Sequence, residues 1–211
     1  MPEMSNLLAF MGATVALLLI PGPAVIYMVN RAVSDGRSVG LAAVAGLEVG
    51  DTIQATLSAL GLSAVMATSI SLFNTVKWLG VAYLVWTGVR TLTTRPAPLE
   101  TDTAHVTRRA AFRQGILVNA LNPKTGLFFL SIFPQFVDAG APNAKVQSLV
   151  LGVVFVVLAT VFNTTYVMIA SALRHALLRG NALAFVRRWI SGSLFLLLGV
   201  FAATAAAPSS K

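Results

Sequence analysis

Six long apolar runs, at about 5–29, 39–66, 70–90, 112–134, 147–173 and 185–206, are separated only by short polar connections. Each is long enough to cross a hydrocarbon layer roughly 30 Å thick as an α-helix. The second and third runs are nearly continuous, with a joint near Thr68. Composition agrees with a lipid solvent: 56% of residues are hydrophobic, 10% are charged, and mean hydropathy is +0.80. A soluble domain carries roughly a quarter charged residues, because water must meet a polar skin. The expected fold is an all-α membrane protein of six transmembrane helices.

The formal net charge of +8 does not form a nucleic-acid stripe. Its basic residues sit between the apolar runs and orient them. Arg31, Arg37, Arg90, Arg95, Arg108, Arg109, Arg113, Arg174, Arg179, Arg187 and Arg188 fall on one side, eleven against Lys77, Lys145 and Lys211. The positive-inside bias then puts both termini outside. Residues 1–29 hold no Lys or Arg, so the first run reads as a span and not as a cleaved leader. The chain has no cysteine, and its two histidines, His105 and His175, have no second ligand at a useful spacing. No metal and no cofactor are expected.

The two halves repeat. Lys77-Trp78 precedes Gly88-Val89 as Arg188-Trp189 precedes Gly199-Val200, at the same spacing. Each half also opens with a helix interrupted by proline, at Pro21-Gly22-Pro23 and at Asn122-Pro123-Lys124. Three spans per half is an odd number, so the second copy must enter the membrane upside down. The expected organisation is a first repeat over 1–90, a polar cytoplasmic linker over 91–110 and a second repeat over 111–211. Interrupted helices at matching places in inverted repeats point to a solute site where the repeats meet.

The polar residues inside the runs are the candidates for that site. Pro21 and Pro23 lack backbone N–H groups, so freed carbonyls around Gly22 must face protein or a wet cavity. Lys124 at mid-span costs roughly 2.5–3.5 kcal/mol on insertion scales, and needs a carboxylate, carbonyls or water. Asn119 lies one turn before Asn122 on the same face. Glu48 and Asp51 share a face of the second run with Gln54, and Asp51, deeper in, is expected in a functional role or paired with Lys124. Glu48 is placed with equal reason at a solvated helix end. Gly46 and Gly50 allow a close helix approach, and such glycine faces permit a homodimer. Asn163, in the run that corresponds to the second, offers a neutral contact or simple helix glue. Trp78, Trp86, Trp189 and Tyr83 suit interfacial anchors.

At Pro21-Gly22-Pro23, Ala45-Gly46 to Gly50-Asp51, Lys77-Trp78 to Gly88, Asn119 to Lys124 and Phe133-Pro134-Gln135-Phe136, the sequence resembles the lysine exporter family, in its homoserine/threonine branch of amino-acid efflux proteins. The likeness covers nearly the whole chain. It implies a carrier in the bacterial inner membrane that exports amino acids or close derivatives, driven by proton entry. The resemblance carries no role for Glu48. In that reading a solute carboxylate lies near Lys124 or freed N–H groups, and its ammonium faces Asp51 or the carbonyls around Pro21 to Pro23. An uncoupled small-solute channel is the alternative. An intramembrane enzyme fits less well, because no aspartate in another span partners Asp51.

Overall fold

The computed structural model describes residues 2–68, 106–138 and 141–174, with single positions between 75 and 93 and at 193, 196 and 200. Among them there is helix and no strand. Helix α1 (Met4–Leu19) ends where Ile20, the residue before Pro21, is pushed into extended backbone. Helix α2 (Pro23–Ser34) starts on a proline, whose missing N–H costs nothing in the first turn. The two are bent by 54°. Gly36, at φ 91°, makes the left-handed turn into α3 (Arg37–Thr68). Helix α4 (Arg108–Ala120) is capped by Thr107, whose hydroxyl accepts from the Ala110 N–H at 3.2 Å. The end of the expected linker, from Arg108 on, is thus already helix.

Helix α5 (Pro123–Ser131) repeats the device of α2, with Pro123 in its first turn and Asn122 as cap. With the 3-10 turn Phe133–Phe136 it is bent by 42° from α4. Helix α6 (Ala144–Ala172) is, among the described residues, the one helix that is by itself long and apolar enough to span a membrane. Counting each bent pair as one span makes three. Helix α3 has the length, at 32 residues, but its polar stripe lowers its hydropathy. The third run is helical at its described positions, where Trp78 and Trp86 are exposed. Lys77, Tyr83, Gly88, His105, His175 and nearly all of the sixth run, with Trp189, lie outside the described residues.

Close contacts fix the directions of the helices. A Cβ at Gly46 would meet the Phe112 carbonyl, and one at Gly50 would meet the Ala120 nitrogen at 2.8 Å, so α3 and α4 run parallel in near-backbone contact. Along α3 and α6, Gly40 faces Val167, Glu48 bonds Asn163 and Ala55 faces Gly152, an antiparallel register. The glycine face expected to permit a dimer is therefore used inside the chain. At one end of the bundle, the Asp35 carboxylate accepts from the Val106 N–H at 3.1 Å and pairs with Arg31 at 3.0 Å, while Arg174 donates to the Ser34 carbonyl at 3.3 Å. The described ends of α2 and α6 and the starts of α3 and α4, with their arginines, thus meet there.

Packing divides into two apolar clusters. One holds Phe10, Leu17, Ile20, Ala55, Phe128, Phe133, Leu151, Phe155 and Ala159, with ring centroids such as Phe129–Phe155 at 4.7 Å. The other holds Ala24, Met28, Ala43, Leu47, Ala111, Val167 and Ala170. Every long element changes cluster along its length: between Ile20 and Ala24, between Leu47 and Ala55, between Ala111 and Phe128, and between Ala159 and Val167. Outward stripes Val49, Ile53, Leu57 and Leu60 on α3, and Leu149, Val153, Val157 and Val161 on α6, are exposed and apolar, as lipid-facing surfaces are.

The α3–α4 contact leaves no room for a side chain. Gly46→Val is expected to prevent accumulation of folded protein, whereas Gly12→Ala, with open space around its Cβ position, leaves it unchanged. Monodisperse yield after detergent extraction distinguishes the two, and wild-type yield from Gly46→Val would contradict the packing described.

Candidate functional site

The interval between the two apolar clusters is where the candidate residues fall. Pro21 to Pro23 lie between Ile20 and Ala24, Glu48, Asp51 and Gln54 between Leu47 and Ala55, and Asn163 between Ala159 and Val167. Asn119, Asn122 and Lys124 occupy the break between α4 and α5. Asp51 is 3% and Lys124 6% exposed, so neither points into lipid. A layer of polar groups is enclosed between apolar cores.

The two breaks touch each other. The Lys124 ammonium donates to the carbonyls of Leu17 at 3.2 Å and Ile20 at 2.8 Å. These are carbonyls released where α1 stops before Pro21, and they sit at the negative end of its dipole. The lysine stem packs on Gly22, where a Cβ would stand 3.2 Å from its Cδ. Tyr166 of α6 donates to the Leu18 carbonyl at 3.3 Å. A cation from the second break thus caps the first.

The second break is capped from α3. The Gln54 amide donates to the carbonyls of Asn119 at 2.6 Å, Ala120 at 3.1 Å and Asn122 at 3.4 Å. Asn119 donates in turn to the Leu47 carbonyl at 2.7 Å. Asn122 receives the Lys124 N–H at 3.1 Å and gives its own amide protons to Asn119 and Thr125, each at 3.2 Å. Breaking both helices in an apolar medium therefore leaves these carbonyls satisfied, as the medium requires.

Two expectations need correction. Lys124 and Asp51 are within electrostatic reach but not in ion-pair contact; the ammonium is turned toward the α1 carbonyls, which hold it better placed. The same bonds occupy the Ile20 carbonyl, one of those around Pro21 to Pro23 that were expected to hold a solute ammonium. Glu48 is half-buried, and Asn163 donates to it at 2.9 Å, so Asn163 serves a carboxylate and not merely helix packing.

The acids are incompletely served. One oxygen each of Asp51, Glu48 and Gln54 is buried without a hydrogen-bond partner among the described residues. Asp51 faces the Asn119 amide, with Glu48 and Lys124 as its charged neighbours. The N-terminus of α2, at Gly22, has no side-chain cap, which leaves a positive dipole end directed at the layer. A mostly apolar cavity of about 190 Å³ lies between α3 and α6, lined by Thr52, Thr56, Ala59, Leu149 and Val153 among others.

Sequence reasoning missed Thr125, Tyr27 and Asp35. Tyr27 donates to the Ala111 carbonyl at 2.8 Å and ties α2 to α4. Only Asp35 carried a signal, four residues after Arg31, the spacing at which helical charges meet.

The sequence matches the family described as LysE type translocator over residues 15–206. It is 32% identical to an uncharacterized membrane protein of Vibrio cholerae, over 95% of this chain and 97% of the relative. It is likewise 32% identical to a homoserine/homoserine lactone efflux protein of Salmonella typhimurium, over 93% of this chain and 95% of that one. A leucine efflux protein of the same organism is 27% identical over 90% of this chain and 91% of its own. No solved structure matches. With nearly end-to-end relatives and a match over most of its length, the chain belongs to the LysE type translocator family, membrane transporters and not enzymes.

Proposed function

We propose that this protein is a secondary transporter that exports amino acids or close derivatives from the bacterial cytoplasm, coupled to proton entry. The observation that carries the reading is the contact of the two helix breaks through Lys124, inside a polar layer closed to lipid. Broken helices around a midplane site are the means by which carriers expose backbone groups to solute. The efflux functions of the Salmonella relatives favour amino acids as the cargo class.

The fold is read as two inverted three-helix repeats, over 1–90 and 111–211, joined through 91–110. Opposite directions support it: α3 runs antiparallel to α6, its counterpart in the second half, and parallel to α4, the opening helix of that half. Gathering of arginines at the Arg31–Asp35 end supports a reading with that end in the cytoplasm and both termini outside, in the inner membrane. Rocking of one half against the other would break and remake the Lys124 bonds, which exist only while the breaks abut.

Asp51 is the proposed proton carrier. It is buried, has an oxygen without a partner, and has Glu48 and Lys124 as charged neighbours. Substituting asparagine holds the shape and removes the titration. In proteoliposomes Asp51→Asn is expected to lose efflux driven by a pH gradient while passive counterflow of labelled amino acid continues. Uphill efflux by this variant would contradict the coupling role. A channel would instead show flux without saturation and without response to the gradient, in the same assay.

Lys124 is expected to matter to the bundle before it matters to the solute. Lys124→Met takes one of two donors from the Leu17 carbonyl and leaves the buried Ile20 carbonyl without its donor, at a cost of roughly 1–3 kcal/mol for that group. A lowered melting temperature in detergent, together with lost efflux, is the expected outcome. Unchanged melting would show that the cap contributes nothing.

A further inference from the structure

The first break divides its span into two parts that are held in different ways. Lys124 and Tyr166 bind the carbonyls at the end of α1 and fix it to the polar layer. Helix α2 receives none of these bonds. It leaves the layer at Gly22, bent by 54° from α1, and runs to the end of the bundle where the arginines gather. Helix α4 starts at that same end and reaches the layer at Asn119. The seam between α2 and α4 therefore runs from the polar layer to the arginine end.

The neighbouring seams are locked by close approach. A Cβ at Gly46 would meet the Phe112 carbonyl, and one at Gly115 the Ala43 carbonyl at 2.6 Å. One at Gly40 would meet Ala32 Cβ at 2.8 Å and Val167 Cγ1 at 2.9 Å. Helix α3 is thus packed tightly on α4, α2 and α6 alike. The α2–α4 seam is fastened by polar side chains instead. Tyr27 donates to the Ala111 carbonyl at 2.8 Å and lies 3.2 Å from Gln114 Oε1. Asp35 accepts from the Val106 N–H at 3.1 Å and from Arg31 at 3.0 Å, with the carboxylate itself buried. Positions 27, 31 and 35 follow one another at four-residue steps, so the ties share one face of α2. Bonds of this kind at a water-facing end can be exchanged for bonds to water at little net cost. A carbonyl stripped of its donor inside the apolar medium has no such substitute.

We propose that α2 is a gate at the arginine end, turning on α3 about the Pro21-Gly22-Pro23 break, and that Tyr27 and the Arg31–Asp35 pair are the latch that holds it shut against α4. The inference rests on the export reading above and names the residues that position its closed state. Opening requires release of the Ala111 carbonyl and the Val106 N–H, while Lys124 keeps its hold on α1. Val106 lies in the stretch 91–110 between the proposed halves, so the latch ties the α2–α3 turn of the first half to the entry of the second. Rocking that parts the two breaks is then a separate step of the cycle.

The test uses the full-length chain, which has no cysteine of its own. Met28, next to Tyr27 and fully buried, supplies the reporter as Met28→Cys; Ala159→Cys, in the other apolar cluster, is the reference. Reaction with a membrane-impermeant maleimide is followed in inside-out and right-side-out vesicles. Tyr27→Phe, which removes the hydroxyl alone, is expected to speed reaction at Met28→Cys about fivefold, the worth of one neutral hydrogen bond. Asp35→Asn, which removes the charge, is expected to speed it at least about tenfold. Both accelerations are expected in inside-out vesicles only, with Ala159→Cys unchanged. Acceleration confined to right-side-out vesicles would keep the latch and reverse the orientation. No acceleration, or equal acceleration at Ala159→Cys from general loosening, overturns the proposal. Transport is read in the inside-out vesicles as gradient-driven uptake of labelled leucine and homoserine. Reaction at Met28→Cys is expected to rise while either solute moves, and transport with unchanged reactivity would reject the gate alone. Acceleration in the latch variants, with neither amino acid carried, would reject export of these solutes and leave the gate standing.

Discussion

A helix cannot be interrupted in hydrocarbon unless something inside the protein takes up the carbonyls it releases. That constraint governs this molecule. The break at Pro21-Gly22-Pro23 releases carbonyls of Leu17, Leu18 and Ile20, and the partners come from elsewhere in the chain: Lys124 and Tyr166. The break before Pro123 releases carbonyls of Asn119 and Ala120, and Gln54 donates to both. Each break therefore depends on a side chain from a distant part of the sequence, and α3 and the second break are what hold the halves in register. The cost of placing a lysine in the layer, roughly 2.5–3.5 kcal/mol on insertion scales, is offset by the carbonyls that it relieves.

The two apolar clusters make this arrangement possible. Phenylalanines fill the one that contains Phe10, Phe128 and Phe155, while small and branched side chains fill the one around Met28 and Leu47. Between them a polar layer is shielded from lipid yet remains internally short of donors. Stability and function thus draw on different groups. Lys124, Asn119, Asn122 and the Gln54 nitrogen bind the backbone; Asp51, Glu48 and the Gln54 oxygen are left facing inward. Gln54 joins both: its nitrogen is bound to carbonyls of the second break while its oxygen is left without a partner among the described residues.

Much of this was legible in the sequence, for a physical reason. Lipid makes polar residues rare, so those that occur inside apolar runs stand out, and proline in a helix leaves few ways to satisfy its neighbours. Both breaks, the glycine approach of α3 and the burial of Asp51 and Lys124 could be read from those facts. What could not be read was which released carbonyl would meet which donor. Lys124 needs a carboxylate, carbonyls or water, with Asp51 as one candidate in the sequence; the carbonyls at the end of α1 hold it. Asn163 offered either a neutral contact or helix glue, and its partner could not be named because Glu48 is 115 residues away. Thr125 and Tyr27 gave no signal, since a hydroxyl that serves a local bond is indistinguishable in sequence from one that serves none.

The central claim is that α3 turns one face to a solute-accessible polar layer and the other to lipid. Because the chain has no cysteine, single cysteines can be placed on α3 against a silent background and challenged with a membrane-impermeant thiol reagent in vesicles. The account requires Asp51→Cys and Gln54→Cys to react, while Ile53→Cys and Leu57→Cys remain unmodified. Reaction at positions 53 and 57 with none at 51 and 54 would contradict it, since the face assigned to the solute would then be the one buried in lipid.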